Sequence, residues 1–345
     1  MQLQRISRWT LQLWVAFIVL VSLAWLLYSV LEKKRADDHI LNDRSLSLRA
    51  TFSLGNSEVR YLFYSNEGEL LVAGDLLGNI KIWDVESHNV MANMIRPVPV
   101  YAAAFIRSAN RLALLCSNNK LRIMVFPDLV EVAEITVQTE SSLRGISVSK
   151  DGRHIVLFSI EGNPELIFID LHFLKKVTKV KLFSNEDRGF PIMNLDRTRF
   201  LTLLDNNQLA IRSTLESNKL QLARFDGDII FSGAINRQRM LIAYPRYDQV
   251  DLVQFDSLSE LCHIDTPGMP KAVAYSPDGI KVAIGCNSNR PLDAAGLIVY
   301  DLSTETIVAR FMAHSRSVGA VAFSPDSRYL ASGGGDSEVK IWRMK

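Results

Sequence analysis

The chain has 345 residues, of which 48% are apolar and 22% charged, and these ordinary globular values exclude long disordered regions. Its 39 basic and 37 acidic residues give a formal charge of +2 and are spread along the sequence. A nucleic-acid-binding surface needs basic residues concentrated on one face, so no nucleic-acid partner is predicted.

The first predicted element is an apolar helix at residues 9–31, which follows a short N-terminal tail at 1–8. Its 23 residues carry no charge. A helix of that length measures roughly 34 Å, enough to cross a hydrocarbon core of about 30 Å. Aromatic side chains favour the headgroup region, and four lie towards the ends of the segment: Trp9, Trp14, Trp25 and Tyr28. The segment predicts a single-pass helix in the lipid bilayer.

A cleaved signal peptide is the alternative, with Ser22-Leu23-Ala24 as its cleavage site. The apolar run continues past that site and is longer than a usual signal core, which favours an uncleaved anchor. Residues 32–45 then form a short charged juxtamembrane linker. Basic residues are slightly more numerous after the helix than before it, which gives a slight preference for a cytoplasmic location of the rest of the chain.

Beyond residue 45 the sequence repeats with a period of about 43 residues. Asp84, Asp170, Asp256 and Asp301 each end a strand-like run and lie 86, 86 and 45 residues apart. Each unit contains a strand, a turn, a second strand and a third strand. The clearest copies begin at Arg60, Leu143, Lys271 and Ser317, and fainter ones begin near Val100, Phe190 and Asp228.

A fourth, outer strand follows six of these seven units, at Val90–Met94, Val130–Ile135, Val177–Leu182, Leu220–Phe225, Glu260–Ile264 and Ile307–Phe311. The last unit lacks one because the sequence ends at Lys345, just after its third strand. Leu46–Leu54 alternates apolar and polar residues and belongs to no unit, so we expect it to pair with Glu338–Met344. This pairing would close residues 46–345 into an all-β ring of seven four-stranded blades.

The sequence resembles the WD40-repeat β-propellers. The resemblance rests on Trp83-Asp84, on His314, on the Ser-Pro-Asp turns at 276–278 and 324–326, and on Ser332…Asp336…Trp342. It implies a hydrogen-bonded structural tetrad in the last blade, formed by His314, Ser332, Asp336 and Trp342. The first blade has Ala73 and Leu77 at the matching positions, and Ile169, Phe255 and Tyr300 replace tryptophan elsewhere.

Catalytic and cofactor sites are not predicted. His314, Asp336 and Ser332 could be an acid–base pair with a nucleophile, but a buried hydrogen-bond network is the better interpretation. Gly333-Gly334-Gly335 lacks the following helix of a phosphate-binding loop. Cys116, Cys262 and Cys286 are widely spaced and have neither disulfide nor metal-ligand spacing, so no metal is predicted.

Partner contacts are expected on the loops that enter each first strand and on those between second and third strands, because these share one face of a propeller. Loops on a rigid ring are frequent recognition sites, and arginine and aromatic residues are enriched at binding hot spots. The candidates are Arg96, Tyr101, Arg144, Phe190, Arg246, Tyr247, Arg290 and Arg316.

Two functions fit these features. The first is a non-enzymatic, membrane-anchored WD40-like scaffold that binds a partner protein, as an accessory or assembly subunit of a membrane complex. The alternative is a ligand-binding or enzymatic propeller that uses its central channel, although no small-molecule substrate is evident. In the anchor, Gln12, Ser22 and Ser29 could also hydrogen-bond to neighbouring helices.

Overall fold

The computed structural model describes residues 46–345 apart from 96–97, 140–141, 150–151, 160–164, 173–176, 182–191, 194–198, 204–207, 214–220, 225–233, 237–238, 240, 247, 255–256, 258 and 288–295. The predicted tail at 1–8, membrane helix at 9–31 and linker at 32–45 lie outside the described residues. In the part of the chain that is described, no helix has the length and apolar character needed to cross a bilayer.

The described part of the chain is all-β. Its strands form seven four-stranded antiparallel sheets, accompanied by one 3-10 turn at Arg107–Ala109. Strand β1 (Leu46–Ser53) begins the described chain and belongs to the last sheet. We number the sheets 1 to 7 in the order of their first strands.

Sheets 1 to 3 each contain four consecutive strands. Sheet 1 consists of β2 (Val59–Tyr64), β3 (Leu70–Asp75), β4 (Asn79–Asp84) and β5 (Val90–Ile95). Sheet 2 consists of β6 (Val100–Ile106), β7 (Arg111–Cys116), β8 (Lys120–Val125) and β9 (Val130–Thr136). Sheet 3 consists of β10 (Leu143–Val148), β11 (His154–Ser159), β12 (Glu165–Asp170) and β13 (Val177–Lys181).

Sheets 4 to 6 repeat this arrangement. Sheet 4 consists of β14 (Ile192–Met193), β15 (Arg199–Leu203), β16 (Gln208–Ser213) and β17 (Gln221–Arg224). Sheet 5 consists of β18 (Ala234–Asn236), β19 (Leu241–Pro245), β20 (Gln249–Gln254) and β21 (Glu260–Asp265). Sheet 6 consists of β22 (Pro270–Tyr275), β23 (Lys281–Cys286), β24 (Leu297–Asp301) and β25 (Thr306–Phe311).

Sheet 7 combines both ends of the described chain. It consists of β26 (Val318–Phe323), β27 (Tyr329–Gly334), β28 (Glu338–Met344) and β1. The antiparallel pairing of β1 with β28 runs from Leu46 opposite Met344 to Ser53 opposite Glu338. The strand predicted at Leu46–Leu54 therefore corresponds to β1, and it occupies the outer position beside the last strand.

The sheets pack face to face, and the core lies between neighbouring sheets. One buried cluster joins sheets 7 and 1 and includes Phe52 of β1 and Trp83 of β4, whose rings stack with centroids 5.1 Å apart. Similar clusters join sheets 1 and 2, 2 and 3, 5 and 6, and 6 and 7. In these five pairs the apolar face of one sheet is covered by its neighbour, so the sheets bury their cores against each other.

Four of the turns between first and second strands share one hydrogen-bond pattern. In the Ser276 turn the hydroxyl oxygen accepts from Lys281 N at 2.8 Å, and Gly279 N donates to Ser276 O at 2.8 Å. The Ser324 turn repeats the first bond with Tyr329 N at 2.9 Å. The Ser65 and Ser149 turns do the same. In each of these four turns, a residue with positive φ lies three positions after the serine. These two residues therefore fix the turn locally.

Because neighbouring strands are antiparallel, the connections between them emerge alternately at two opposite edges of the sheets, which we call the upper and lower faces. The upper face carries the connections into each first strand and those between second and third strands, and the lower face carries the Ser65, Ser149, Ser276 and Ser324 turns. Leu46 lies opposite Met344, whose N–H donates to Arg328 O in the Ser324 turn at 2.8 Å. Strand β1 therefore begins at the lower face.

Candidate partner-binding face

The first strands of five sheets share a bulge at their second residue. In β2 the register shifts between Val59 and Tyr61, and the same shift occurs in β6, β10, β22 and β26. A bulge leaves one residue outside the ladder and redirects its side chain. The residues left out are Arg60, Tyr101, Arg144, Lys271 and Gly319. We call these five positions the rim.

The rim positions lie at the upper ends of strands that stand side by side. Strand β2 contacts both β26 and β6, while β10 contacts β6 and β22 contacts β26. The bulge at the start of each strand thus brings residues from distant parts of the sequence to one edge of the array.

Two rim residues of neighbouring sheets stack on each other. The guanidinium carbon of Arg144 in sheet 3 lies 4.0 Å from the ring centroid of Tyr101 in sheet 2, within cation–π distance. A guanidinium that stacks through its flat face keeps its N–H donors at its edges, in the geometry that pairs with a carboxylate. Sequence analysis predicted both residues as partner contacts, and the structure brings them together.

A second polar group connects three sheets at the rim. Lys271 Nζ of sheet 6 donates to Glu58 Oε1 at 3.1 Å and to Ser317 Oγ at 3.3 Å. Ser317 Oγ in turn donates to the same carboxylate oxygen at 3.2 Å. Glu58 precedes the first strand of sheet 1, and Ser317 precedes that of sheet 7. The carboxylate therefore reaches across sheet 7 to a lysine of sheet 6.

The absence of a side chain at Gly319 makes this crossing possible. A Cβ at Gly319 would lie 2.9 Å from Glu58 Oε1 and 2.7 Å from the carbonyl oxygen of Val59. Any larger residue would push the Glu58 side chain away from Lys271. Glycine at this rim position is thus explained by close approach and not by backbone conformation.

Below the rim the first strands are apolar. Residues 102–104 of β6, 272–274 of β22 and 320–322 of β26 are all alanine or valine. Among the first strands that the structure describes, none carries an acidic residue after its rim position. The described parts of these strands therefore place mainly apolar side chains, and no carboxylate, below the rim.

The other predicted partner contacts differ in their surroundings. Arg316 is exposed on the upper connection into β26. Arg246 instead pairs internally, because its Nη1 lies 3.1 Å from Oδ2 of the fully buried Asp251. A buried carboxylate needs such a counter-ion, so Arg246 acts within sheet 5. The remaining candidates lie outside the described residues: Arg96, Phe190, Tyr247 and Arg290.

Sequence analysis missed three residues of this face, namely Glu58, Arg60 and Lys271. The sequence does contain a signal for two of them. Arg60, Tyr101, Arg144 and Lys271 each follow the first residue of a first strand, so aligning the repeats by that residue would have selected all four.

The predicted tetrad forms a continuous hydrogen-bond chain at the upper edge of sheet 7. Trp342 Nε1 donates to Ser332 Oγ at 2.9 Å. Ser332 Oγ lies 2.8 Å from His314 Nε2, and His314 Nδ1 lies 3.0 Å from Asp336 Oδ1. A neutral His314 protonated on Nδ1 satisfies every member, since the serine hydroxyl then donates to Nε2 and Nδ1–H donates to the carboxylate.

Asp336 also fixes the backbone around it. Its carboxylate accepts hydrogen bonds from Ser315 N at 2.9 Å and Glu338 N at 3.2 Å. Burial acts to raise the pKa of Asp336, but the hydrogen bond from His314 and the two backbone donors together lower it to about 2. The carboxylate is therefore ionised throughout the neutral range.

The tetrad geometry resembles a serine nucleophile with its base, but its burial excludes that chemistry. His314 and Ser332 have no exposed surface, and Ser332 Oγ already accepts from Trp342. A substrate carbon has no route to the hydroxyl oxygen. The network is a structural element that joins the connection into β26 to strands β27 and β28.

A metal-like spacing occurs in the same place. His314, Asp336 and Glu338 bring ligand atoms within 4.8 Å of one another. In the hydrogen-bond chain above, the Nε2 lone pair of His314 accepts from Ser332 and Nδ1 carries the proton shared with Asp336. Because neither nitrogen has a lone pair left for an ion, the cluster is better explained by hydrogen bonding.

Sheet 1 replaces this network with apolar packing. Ala73 and Leu77 occupy the positions of Ser332 and Asp336, and Trp83 stacks against Phe52.

The cysteines are also structural. None of the three forms a disulfide, and burial raises the pKa of Cys286 to about 12, so its thiol stays protonated and unreactive at neutral pH.

Comparisons with known proteins point to one repeat type. The family model described as "WD domain, G-beta repeat" matches residues 47–84 and 305–343. Protein TOPLESS of Arabidopsis thaliana is 24% identical over 317 residues, which cover 88% of this chain and 25% of that protein. Two further relatives match a shorter segment.

The Periodic tryptophan protein 2 homolog of Mus musculus is 34% identical over 71 residues, or 21% of this chain and 7% of that protein. Protein groucho of Drosophila melanogaster is 34% identical over 74 residues, or 21% of this chain and 9% of that protein. The chain spans a quarter or less of the length of these three relatives. The two segments that match the family model cover most of sheet 7, the first three strands of sheet 1 and the last strand of sheet 6, and together these findings support a WD40-repeat protein.

Proposed function

We propose that this protein is a membrane-anchored WD40-like scaffold that binds a partner protein through its upper face. The observation that carries the proposal is the rim, where bulges on successive sheets direct Arg60, Tyr101, Arg144 and Lys271 to one edge. Similarity to WD40-repeat proteins supports an interaction scaffold, and no catalytic or cofactor-dependent role is proposed.

The seven sheets are proposed to close into a seven-bladed β-propeller. Pairing of β1 with β28 supports closure, because the first and last described strands share sheet 7. Lys271, Ser317 and Glu58 support it as well, since their contacts connect sheets 6, 7 and 1 across that join. A closed ring would leave only short, protected sheet edges.

Residues 9–31 are proposed to anchor the ring in a membrane, as part of a membrane complex. Their uninterrupted apolar sequence and flanking aromatic residues support this role. The linker at 32–45 extends at most about 50 Å. Because β1 begins at the lower face, the tether would join the ring on the side opposite the rim, which leaves the rim accessible to a partner.

Affinity purification of the full chain in a mild detergent tests the scaffold function. We expect a partner protein to co-purify in stoichiometric amount. Recovery of the chain as a lone monomer under gentle conditions would contradict the proposal. The central-channel alternative would gain support only from a small molecule retained by the purified protein.

Membrane anchoring has its own test. The full chain should remain with the membrane pellet after alkaline carbonate extraction, whereas replacing residues 9–31 by a polar segment should release it. Protease treatment of sealed vesicles then shows on which side of the membrane residues 46–345 lie. We expect this domain to be digested by protease added to the cytoplasmic surface. Extraction of the unaltered chain by carbonate would contradict the anchor.

A further inference from the structure

The rim has a clear excess of positive charge. Three of its five positions are basic, namely Arg60, Arg144 and Lys271, and the acidic Glu58 contacts two of them, Arg60 and Lys271. The whole chain, by contrast, has nearly equal numbers of basic and acidic residues. This local excess of charge selects a negatively charged group on a partner.

Arg144 is prepared to bind a carboxylate. The cation–π contact with Tyr101, 4.0 Å from the guanidinium carbon to the ring centroid, restrains the Arg144 side chain before a ligand arrives. Among the described residues, no carboxylate forms an ion pair with Arg144. An oriented arginine loses less side-chain entropy on binding, and two parallel N–H donors match the two oxygens of a carboxylate.

Arg60 has an acidic neighbour that a ligand can replace. Its Nη1 lies 3.7 Å from Glu58 Oε2, and the two side chains are 42% and 30% exposed. An exposed ion pair of this length contributes little to stability. The position of Glu58 Oε2 therefore shows where a ligand carboxylate can contact Arg60. The other carboxylate oxygen, Oε1, accepts hydrogen bonds from Lys271 and Ser317.

We propose that the rim binds an acidic segment of the partner protein, rich in aspartate or glutamate. One carboxylate of the segment pairs with Arg144 on the Tyr101 ring, and another pairs with Arg60 in exchange for Glu58. Lys271 stays bound to Glu58 and adds its charge to the local field. This inference rests on the proposed function and specifies the chemistry of the partner.

Binding of a labelled peptide to the full chain in detergent tests the inference. The probe is a dye-labelled decaglutamate peptide, followed by fluorescence anisotropy, with decaglutamine as the uncharged control peptide. We expect decaglutamate alone to bind, and its affinity to fall steeply as salt is raised. Arg144→Ala and Arg60→Ala should each weaken binding by about fivefold or more, because each removes a charged contact.

Glu58→Gln provides a test in the opposite direction. The glutamine keeps the shape of the side chain and an oxygen that accepts from Lys271, but it removes the competing charge. Decaglutamate should then bind about threefold tighter or more. Arg328→Ala is the matched control, because it removes an exposed arginine, 67% exposed, from the lower face; it should leave affinity unchanged. Thermal unfolding of each variant shows that the fold is retained.

Several outcomes would overturn the inference. These are no binding of decaglutamate, equal loss with Arg328→Ala, or weaker binding by Glu58→Gln. Tighter, rim-dependent binding of a single-stranded oligonucleotide would also overturn it, in favour of nucleic acid. If a partner still co-purifies with the Arg60→Ala/Arg144→Ala protein, the scaffold function stands and only the acidic chemistry is rejected.

Discussion

At the scale of single residues, the tetrad of sheet 7 shows how a buried polar group is tolerated. Each of its polar atoms has a partner, from the Trp342 N–H to the carboxylate of Asp336. Sheet 1 reaches the same backbone arrangement without these groups, because Ala73 and Leu77 remove the need for partners. The network therefore stabilises one sheet and is not a requirement of every repeat.

Ser332 is the residue on which the chain of hydrogen bonds depends. Ser332→Ala removes the acceptor of Trp342 Nε1 and the donor to His314 Nε2, both fully buried. An unsatisfied buried group costs about 1–3 kcal/mol, so we expect the free energy of unfolding to fall by roughly 2–4 kcal/mol in urea titrations.

Ser315→Ala is the control for this substitution. Its hydroxyl also donates to Asp336, at 3.3 Å, but from an exposed position. It should change the free energy of unfolding by less than about 0.5 kcal/mol. Equal losses in the two variants would show that the tetrad contributes no special stability.

The pKa of Asp336 gives a pH dependence with a defined sign. Its folded value of about 2 lies below the ordinary value of 3.8, so the folded state favours the carboxylate more than the unfolded state does. This stabilisation is complete above about pH 4 and is lost as the pH falls towards 2, and it amounts to about 2 kcal/mol. Asp336→Asn cannot titrate and should lose less stability over this range.

Urea unfolding at successive pH values measures the difference. Asp278, Asp301 and Asp326 also have lowered pKa values, but they titrate in both proteins, so subtracting the two curves isolates Asp336. Parallel curves between about pH 4 and 2 would contradict the assigned pKa.

Residue identity alone could not reveal the rim. The tetrad was predictable because the resemblance to WD40 repeats implied its four members. Glu58 and Lys271, by contrast, are 213 residues apart and meet only when sheets 6, 7 and 1 are adjacent. Arg246 looked like a partner contact, but the structure gives it a buried counter-ion, Asp251, that no spacing rule predicts.

At the scale of strands and turns, local chemistry set the accuracy of prediction. Strands next to Ser-Pro-Asp turns were predicted well, because the serine and aspartate side chains fix the turn within a few residues. In the faint copy expected near Asp228, the first strand that the structure describes is Ala234–Asn236, with three residues. Without the turn motif, nothing local fixed its register.

Strand β1 completes sheet 7 and also packs against sheet 1. Phe52 is 7% exposed and stacks on Trp83 of sheet 1 at an interplanar angle of 23°. Phe52→Ala would leave a cavity between sheets 7 and 1 and should lower the free energy of unfolding by about 3 kcal/mol.

Thr51→Ala is the matched control on the same strand. Thr51 is exposed, so the substitution should cost less than about 1 kcal/mol, measured by the same urea titration. A loss with Thr51→Ala as large as that with Phe52→Ala would mean that strand formation, and not packing against Trp83, is what β1 contributes.

At the scale of the whole molecule, we expect stability to depend on the pairing of β1 with β28, which joins the two ends of the repeat array in sheet 7. A chain that starts at residue 46 keeps β1, whereas one that starts at residue 57 exposes the edge of β28 and loses Phe52 from the core. We expect the first fragment to unfold cooperatively on heating. The second should unfold at a temperature lower by about 10 °C or more, or aggregate.

Equal unfolding temperatures for these fragments would contradict closure through β1. The unfolding temperature of each fragment would be measured by circular dichroism at the wavelength of the β-strand signal. A fragment lacking only residues 1–45 is the right reference, because it differs from the shorter one by β1 and the connection to β2 alone.

The most direct test of the account is partner recovery by rim variants of the full chain in mild detergent. The unaltered protein, Arg60→Ala/Arg144→Ala and Arg328→Ala would be purified side by side, and co-purified proteins quantified by mass spectrometry. The account predicts a stoichiometric partner with the unaltered protein and with Arg328→Ala, and its loss from the double variant. Equal recovery of the partner with all three proteins would contradict a rim-centred binding face.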